Sequence, residues 1–403
     1  MSGPAGERSL AALAARARDP AHALDAATRA TLADLRAALL ASDAISVTLG
    51  GRGGRLGESV VATGLLEGFL LALGALGKAG TPLAIRVDGP AIALFDADRY
   101  RARYWPAITV APLAAAPEPP AAGHTFALDL HGAHDGPPAL RVAEDGARRT
   151  VTCASFFRVG VREYAARGPV RRYADCVADL LALAPGSLDG HAAQPTLRLP
   201  PDDARFAALA AAYGLRPGVP LVVGAFQSAV VAKCYGHWRA VLDGIGAQLA
   251  AARPGAALDV LIACGPDGAN PPGARYSDLA AEFAGYSSGA GALRAVVART
   301  ETLGDLACCL GHAALALTND SAPGHIAGAL GVPVVTPYLP GDVYSLRVWA
   351  SSLAHHGVTS DAPYTRQQVE NAVLWDHTDV IDSIPPARLV APALAALAAA
   401  GLM

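Results

Sequence analysis

From Ile45 onward the chain alternates short, almost wholly apolar runs with longer segments of helical pattern. The run 45–50 (ISVTLG) predicts a strand, a glycine-rich loop follows, then 59–77 predicts a helix and 82–89 (PLAIRVDG) a second strand. That is a β-α-β opening. Further short strands are predicted at 108–111, 126–130 and 149–153, with a helix over about 171–183. The stretch 185–201 (PGSLDGHAAQPTLRLPP) is crowded with Pro, Gly and polar residues, the composition of an interdomain connection. Beyond it the alternation restarts. Helices are predicted at 204–213, 235–252, 303–310 and 323–330, and strands at 220–225, 258–264, 295–298, 314–318 and 332–337.

Alternating strands and helices imply α/β architecture, with a mostly parallel sheet covered on both faces. Two such halves joined near residue 200 predict two facing Rossmann-like domains, with ligand sites at the carboxyl ends of the strands in the cleft between them. The expected division is a helical extension over 1–43, a first domain over 44–200, a second over 201–385 and a last Ala/Leu helix within 386–403. Asp19-Pro20 predicts a break inside the extension.

Composition narrows this picture. The 403 residues suffice for two or three domains at about 150 residues each. With 52% hydrophobic and 17% charged residues, long solvating tracts are not expected. A formal charge of −3 lacks the basic excess that favours nucleic acid or an anionic membrane. The six cysteines form no CxxC pair, which argues against a zinc ribbon or disulfide framework and fits a reducing cytoplasm. The N-terminus lacks a compact apolar run, and the stretch 65–77 is interrupted by Glu67 and is too short for a bilayer span of about 20 residues. A cytoplasmic protein without a membrane span is expected. Histidines at 124, 131, 134, 355 and 356 lack metal-ligand spacing, so no metal is expected.

Three places carry candidate chemistry. The loop 50–59 (GGRGGRLGES) joins a strand to a helix, and its glycines permit close backbone approach to an anion. Leu56 stands where the dinucleotide fingerprint needs its third glycine, and the P-loop lysine is missing. Glu58 lies in the first turn of the following helix, either as a site carboxylate or as a complement to the helix dipole. The second place is 317–325 (LTNDSAPGH). Asp320 and Ser321 are suitable N-caps, Pro323 suits the first turn, and the free amides there favour a diphosphate, with His325 one turn in. The third is Lys233, near Gln227 and Ser228 after the strand 220–225, where a point charge could meet a leaving phosphate.

Taken together, these segments resemble glycosyltransferase family 9, the ADP-heptose:lipopolysaccharide heptosyltransferases. The segment TNDSAPGHIAGALGVPVVTPYLPGD (318–342) is similar to the family signature. GRLGES, FALDLHG (126–132) and AKCYGHW resemble three further family segments, in family order. The resemblance implies the GT-B fold and inverting, metal-independent transfer of a sugar, a heptose on ADP, from a nucleotide-sugar donor to a hydroxyl-bearing acceptor. It implies that Glu58 is the general base and that Lys233, Gln227, Ser228, Asp320, Ser321, Gly324 and His325 hold the donor, with Thr302 and Leu303 near the nucleobase. Arg55, Asp129 and His131 are the implied acceptor residues, and no cofactor is implied. Glu58 stands where the family usually has Asp, and Pro340-Gly341-Asp342 replaces the family's usual turn. A nucleotide-sugar epimerase or hydrolase of the same fold, and a nucleotide-sugar-binding protein without transfer, stay open at this point.

Overall fold

A computed structural model describes residues 26–49, 56–87, 89–115, 123–129, 139–145, 148–154, 181, 183, 195–199, 202–266, 268, 270–339, 355–362 and 377–403. The chain divides into two compact units, 1–199 with 347–353 and 200–346 with 354–403.

In the first unit, β1 (Ala44–Leu49), β2 (Leu83–Val87), β3 (Ile108–Pro112), β4 (Gly123–Asp129), β5 (Ala139–Asp145) and β6 (Arg148–Ala154) form one sheet in the order β3-β2-β1-β4-β6-β5. Every pairing is parallel except β5 with β6. Its helices are α1 (Ala26–Leu40), α2 (Leu56–Ala75) and α3 (Ala97–Arg103). Helix α2 begins three residues before the predicted 59, at the end of the glycine loop. Its apolar residues bury against the sheet, with Phe69 stacked on Phe126 of β4. Glu67 sits among them with no solvent exposure. Two side-chain hydrogen bonds from Arg198, of 2.9 and 2.8 Å, and one from the Tyr104 hydroxyl offset its desolvation. The amide of Thr196 also donates to Thr63 on α2, at 3.0 Å. The polar stretch read as a connection is therefore anchored to the first unit at its 195–199 end. The predicted helix at 171–183 lies outside the described residues, apart from positions 181 and 183.

The second unit contains β7 (Leu221–Ala225), β8 (Leu258–Cys264), β9 (Ser287–Ser288), β10 (Leu293–Arg299), β11 (Leu315–Thr318), β12 (Val334–Tyr338) and β13 (His355–Thr359). Their order is β13-β12-β11-β7-β8-β10-β9, all parallel except the short β9. All residues of β7, β8, β11 and β12 are buried, the mostly apolar pattern of strands covered on both faces, with Asp259, Thr318 and Thr336 as buried polar positions. Around the sheet lie α4 (Asp203–Ala212), α5 (Trp238–Ala252), α6 (Tyr276–Glu282), α7 (Leu303–Gly311), α8 (Ala322–Ala329), α9 (Asp379–Asp382) and α10 (Pro386–Ala399). Helix α10 buries Leu389, Ala393, Ala396 and Leu397, a stripe of helical spacing that packs toward α5. Gly244 of α5 permits the close approach, since a Cβ there would lie 2.8 Å from a methyl of Val390.

Read from β10 to β13, the long strands of the second unit follow the doubly wound order 3-2-1-4-5-6, reversing between β7 and β11. The first unit reverses between β1 and β4 in the same way. Each reversal parts the loops above the strand ends, which is where this architecture takes its ligands.

Candidate functional site

The loops leaving β7 and β11 meet at the reversal in the second unit, and buried polar side chains join them. Asn319, fully buried, accepts from the amide of Tyr235 at 3.3 Å and the indole N–H of Trp238 at 2.9 Å, and donates to the carbonyl of Phe226 at 2.6 Å. Trp238, the first residue of α5, stacks on Phe226 with ring centroids 4.6 Å apart. Gln227 accepts from the amide of Gly265 at 2.7 Å and so joins the β7 loop to the end of β8. The Ser228 hydroxyl accepts from the amide of Val230 at 3.2 Å, shaping the turn that leads into the short 3-10 segment Val231–Lys233.

This scaffold sets the Lys233 ammonium 2.7 Å from the Asp320 carboxylate, with side-chain exposures of 13% and 9%. The two predicted donor residues thus form one nearly buried ion pair. Ser321 is the N-cap of α8 in an extended conformation, yet its side chain caps nothing; the hydroxyl donates instead to the carbonyl of Asn319 at 3.3 Å. Asp320 is likewise turned to Lys233. Both residues were expected as N-caps, and the structure assigns each another partner. In the first turn of α8 Pro323 has no N–H and the Gly324 amide donates to the Ser321 carbonyl at 3.1 Å, so the Ala322 amide is the donor left for an acceptor from outside the cap, at the positive end of the helix dipole.

His325, 6% exposed, lies within electrostatic range of Asp320 and Lys233. Burial pushes its pKa down to about 4, Lys233 works in the same direction and Asp320 opposes it. At neutral pH it is a neutral imidazole. Gly324 has a steric reason to be glycine, since a Cβ there would lie 2.6 Å from Thr318 Oγ1.

Thr302 caps α7. Its hydroxyl accepts from the amide of Asp305 at 3.1 Å, while the Asp305 carboxylate accepts from the Thr302 amide at 3.0 Å and from Arg205 at 2.7 Å. Burial alone would raise the Asp305 pKa, but the hydrogen bonds from Thr302 and Arg205 outweigh it and hold the carboxyl below its usual range. The Thr302 side chain is therefore committed to helix capping, and Leu303 is the first residue of α7. A second carboxylate cluster, Asp259 with Arg216 at 2.7 Å and Arg294 at 3.0 Å, lies near the amino end of β8, away from the reversal.

In the first unit Glu58 is the third residue of α2, and Asp129 ends β4 in register with Thr48 of β1. Both positions flank the reversal between β1 and β4. Arg55 and His131 lie outside the described residues. Among the described residues no group of three or more His, Cys, Asp and Glu is arranged to hold a metal ion, and no helix is long and apolar enough to cross a membrane. Asn319, Trp238, Thr318 and Thr336 were missed by the sequence reading. Asn319 stood inside the quoted signature, but its side chain bridges loops that only the fold brings together.

Residues 146–373 match the sequence model of glycosyltransferase family 9 (heptosyltransferase). Among solved structures, the chain is similar to a glycosyl transferase family 9 protein from Veillonella parvula, at 15% identity and a TM-score of 0.54, covering 89% of this chain and 98% of that one. It is also similar to the ADP-heptose lps heptosyltransferase II of E. coli, at 14% identity and a TM-score of 0.49, covering 89% and 99% of the two chains. No curated protein sequence matches.

Proposed function

This chain belongs to glycosyltransferase family 9 (heptosyltransferase), and on that premise we propose that it moves a heptose from ADP-heptose onto a hydroxyl of a glycan or small-molecule acceptor, with inversion and without a metal. The observation that carries the reading is the Lys233–Asp320 pair at 2.7 Å beside the N-terminus of α8, where the cap side chain does not take the Ala322 amide.

In this mechanism the diphosphate lies on the first turn of α8 and Lys233. Asp320 holds the ammonium in place, near the point where negative charge develops as the anomeric C–O bond breaks. Neutral His325 can donate a hydrogen bond to the diphosphate or to a sugar hydroxyl without adding charge. Glu58 takes the proton of the acceptor hydroxyl as its oxygen attacks the anomeric carbon, which passes through an oxocarbenium-like state. Arg55, Asp129 and His131 would place the acceptor on the first unit, and Gln227, Ser228, Ser321, Thr302 and Leu303 would border the donor on the second. The reaction would take place in the cytoplasm.

Calorimetric titration with ADP, GDP, UDP and dTDP, with and without magnesium, tests the donor. Selective, magnesium-independent binding of ADP is expected, and preference for another nucleotide would discard the ADP-linked heptose. Glu58→Gln should lower turnover by about 10² to 10⁴ with ADP affinity unchanged. Full turnover in that variant would remove Glu58 from the role of base.

A further inference from the structure

Beneath the first turn of α8 runs a line of buried side chains for which the transfer chemistry has no direct use. Thr318 Oγ1, at the end of β11, lies 2.9 Å from Thr336 Oγ1 on β12. Thr336 Oγ1 lies 3.0 Å from Nε2 of His355, the first residue of β13, and the Tyr338 hydroxyl lies 3.0 Å from the same nitrogen. All four residues are buried, with none more than 6% exposed. The other ring nitrogen, His355 Nδ1, is buried and has no hydrogen-bond partner among the described residues. An imidazole so placed is costly, because an unpaired buried polar atom gives up its hydration without replacement.

At its other end the line touches the candidate site. The α carbon of Gly324 rests on the hydroxyl pair: a Cβ built there would lie 2.6 Å from Thr318 Oγ1 and 3.7 Å from Thr336 Oγ1. The height of the first turn of α8 above the sheet is therefore set by where the Thr318 hydroxyl points. That hydroxyl is held by Thr336, which is held in turn by His355. We propose that His355 is a positioning residue, acting through Thr336 and Thr318 to seat the first turn of α8 so that its dipole end and the Ala322 N–H face the donor's diphosphate. The relay runs in either proton direction, since each hydroxyl can donate to one neighbour while accepting from the other. It needs an oxygen at position 336 and a polar nitrogen at position 355. Burial keeps the ring neutral, pushing its pKa down to about 3, with His325 and His356 adding to the effect. Nε2 can then serve as an acceptor while Tyr338 and Thr336 fix the ring.

The last part of this inference, presentation to a diphosphate, rests on the donor reading above, so the test separates the two. Thr336→Val removes the hydroxyl at nearly constant shape, Thr336→Ser restores it, and His355→Leu removes the ring. ADP and adenosine are titrated into each protein, and amide hydrogen exchange at residues 322 and 324–326 is followed without ligand, Pro323 having no N–H. Thr336→Val and His355→Leu are expected to weaken ADP binding by about 10- to 100-fold, to leave adenosine affinity unchanged and to speed exchange at the start of α8. Thr336→Ser should stay near wild type. Wild-type ADP affinity and exchange in Thr336→Val would overturn the relay, as would equal losses for ADP and adenosine. If the wild-type protein binds no ADP, the donor reading fails by itself, and the exchange rates still decide whether the relay seats the helix. If His355→Leu does not fold, the Thr336 pair decides.

Discussion

Replacing Gly324 by alanine separates helix propensity from tertiary fit. Glycine to alanine inside a helix ordinarily stabilises it by up to about 1 kcal/mol, because alanine loses less backbone freedom on folding. At Gly324 the added Cβ would lie 2.6 Å from Thr318 Oγ1, whereas ordinary contact begins near 3.4 Å. Something must yield by about 0.8 Å, the difference between these two distances. The Thr318 hydroxyl cannot simply rotate away, since it holds Thr336 at 2.9 Å. Overpacking of this kind costs about 1–3 kcal/mol, so Gly324→Ala should lower stability despite its favourable propensity. In a Thr318→Ala background the nearest remaining neighbours are the Cβ of residue 318 at 3.6 Å and Thr336 Oγ1 at 3.7 Å, both ordinary contacts, and the same substitution should then be neutral or stabilising. Urea unfolding of the four proteins in this cycle gives the coupling energy directly, and at least about 1 kcal/mol is expected. A stabilising Gly324→Ala in the wild-type background, or the same effect in both backgrounds, would refute the reasoning.

Two further predictions concern stability. His325 and His355 have folded pKa values of about 4 and about 3, lowered by burial from 6.5. Between those values and 6.5 the unfolded chain binds more protons than the folded one, so their contribution is fully present above pH 6.5 and is lost as pH falls toward 4 and 3. For His325 alone the loss is on the order of 3 kcal/mol, and His325→Gln should flatten the fall of the thermal midpoint between pH 7 and pH 5; an unchanged slope would contradict the assignment. Arg198→Met should destabilise the first unit by about 3–5 kcal/mol by leaving the Glu67 carboxylate buried without its ion-pair partner. Adding Glu67→Met should recover most of that loss in urea unfolding, and a double variant as unstable as the single one would show that the cost lies elsewhere.

Much of the fold was legible in local pattern. The run 258–264 predicted β8 residue for residue, because a central parallel strand is buried on both faces and favours a nearly continuous apolar sequence, interrupted here by Asp259, which Arg216 and Arg294 neutralise. The strands β5 and β13 were not predicted. ALRVAED in β5 carries three charged residues, and it is a strand because it pairs antiparallel with β6. HHGVT in β13 has little strand character of its own, and it is held by its parallel pairing with β12.

The candidate site divides in the same way. By itself the sequence determined the alternating α/β order, the Lys233 and 317–325 segments, and the family resemblance, since these rest on residue type and short-range spacing. Only the tertiary structure decided that Lys233 pairs with Asp320, that Ser321 leaves α8 uncapped by its side chain, that Asn319 bridges two loops, and that Glu67 is the buried partner of Arg198. Each of these joins residues from different loops or elements, or depends on where such a neighbour draws a side chain. Strand order and register bring those residues together, whereas local propensity records only how each segment prefers to bend.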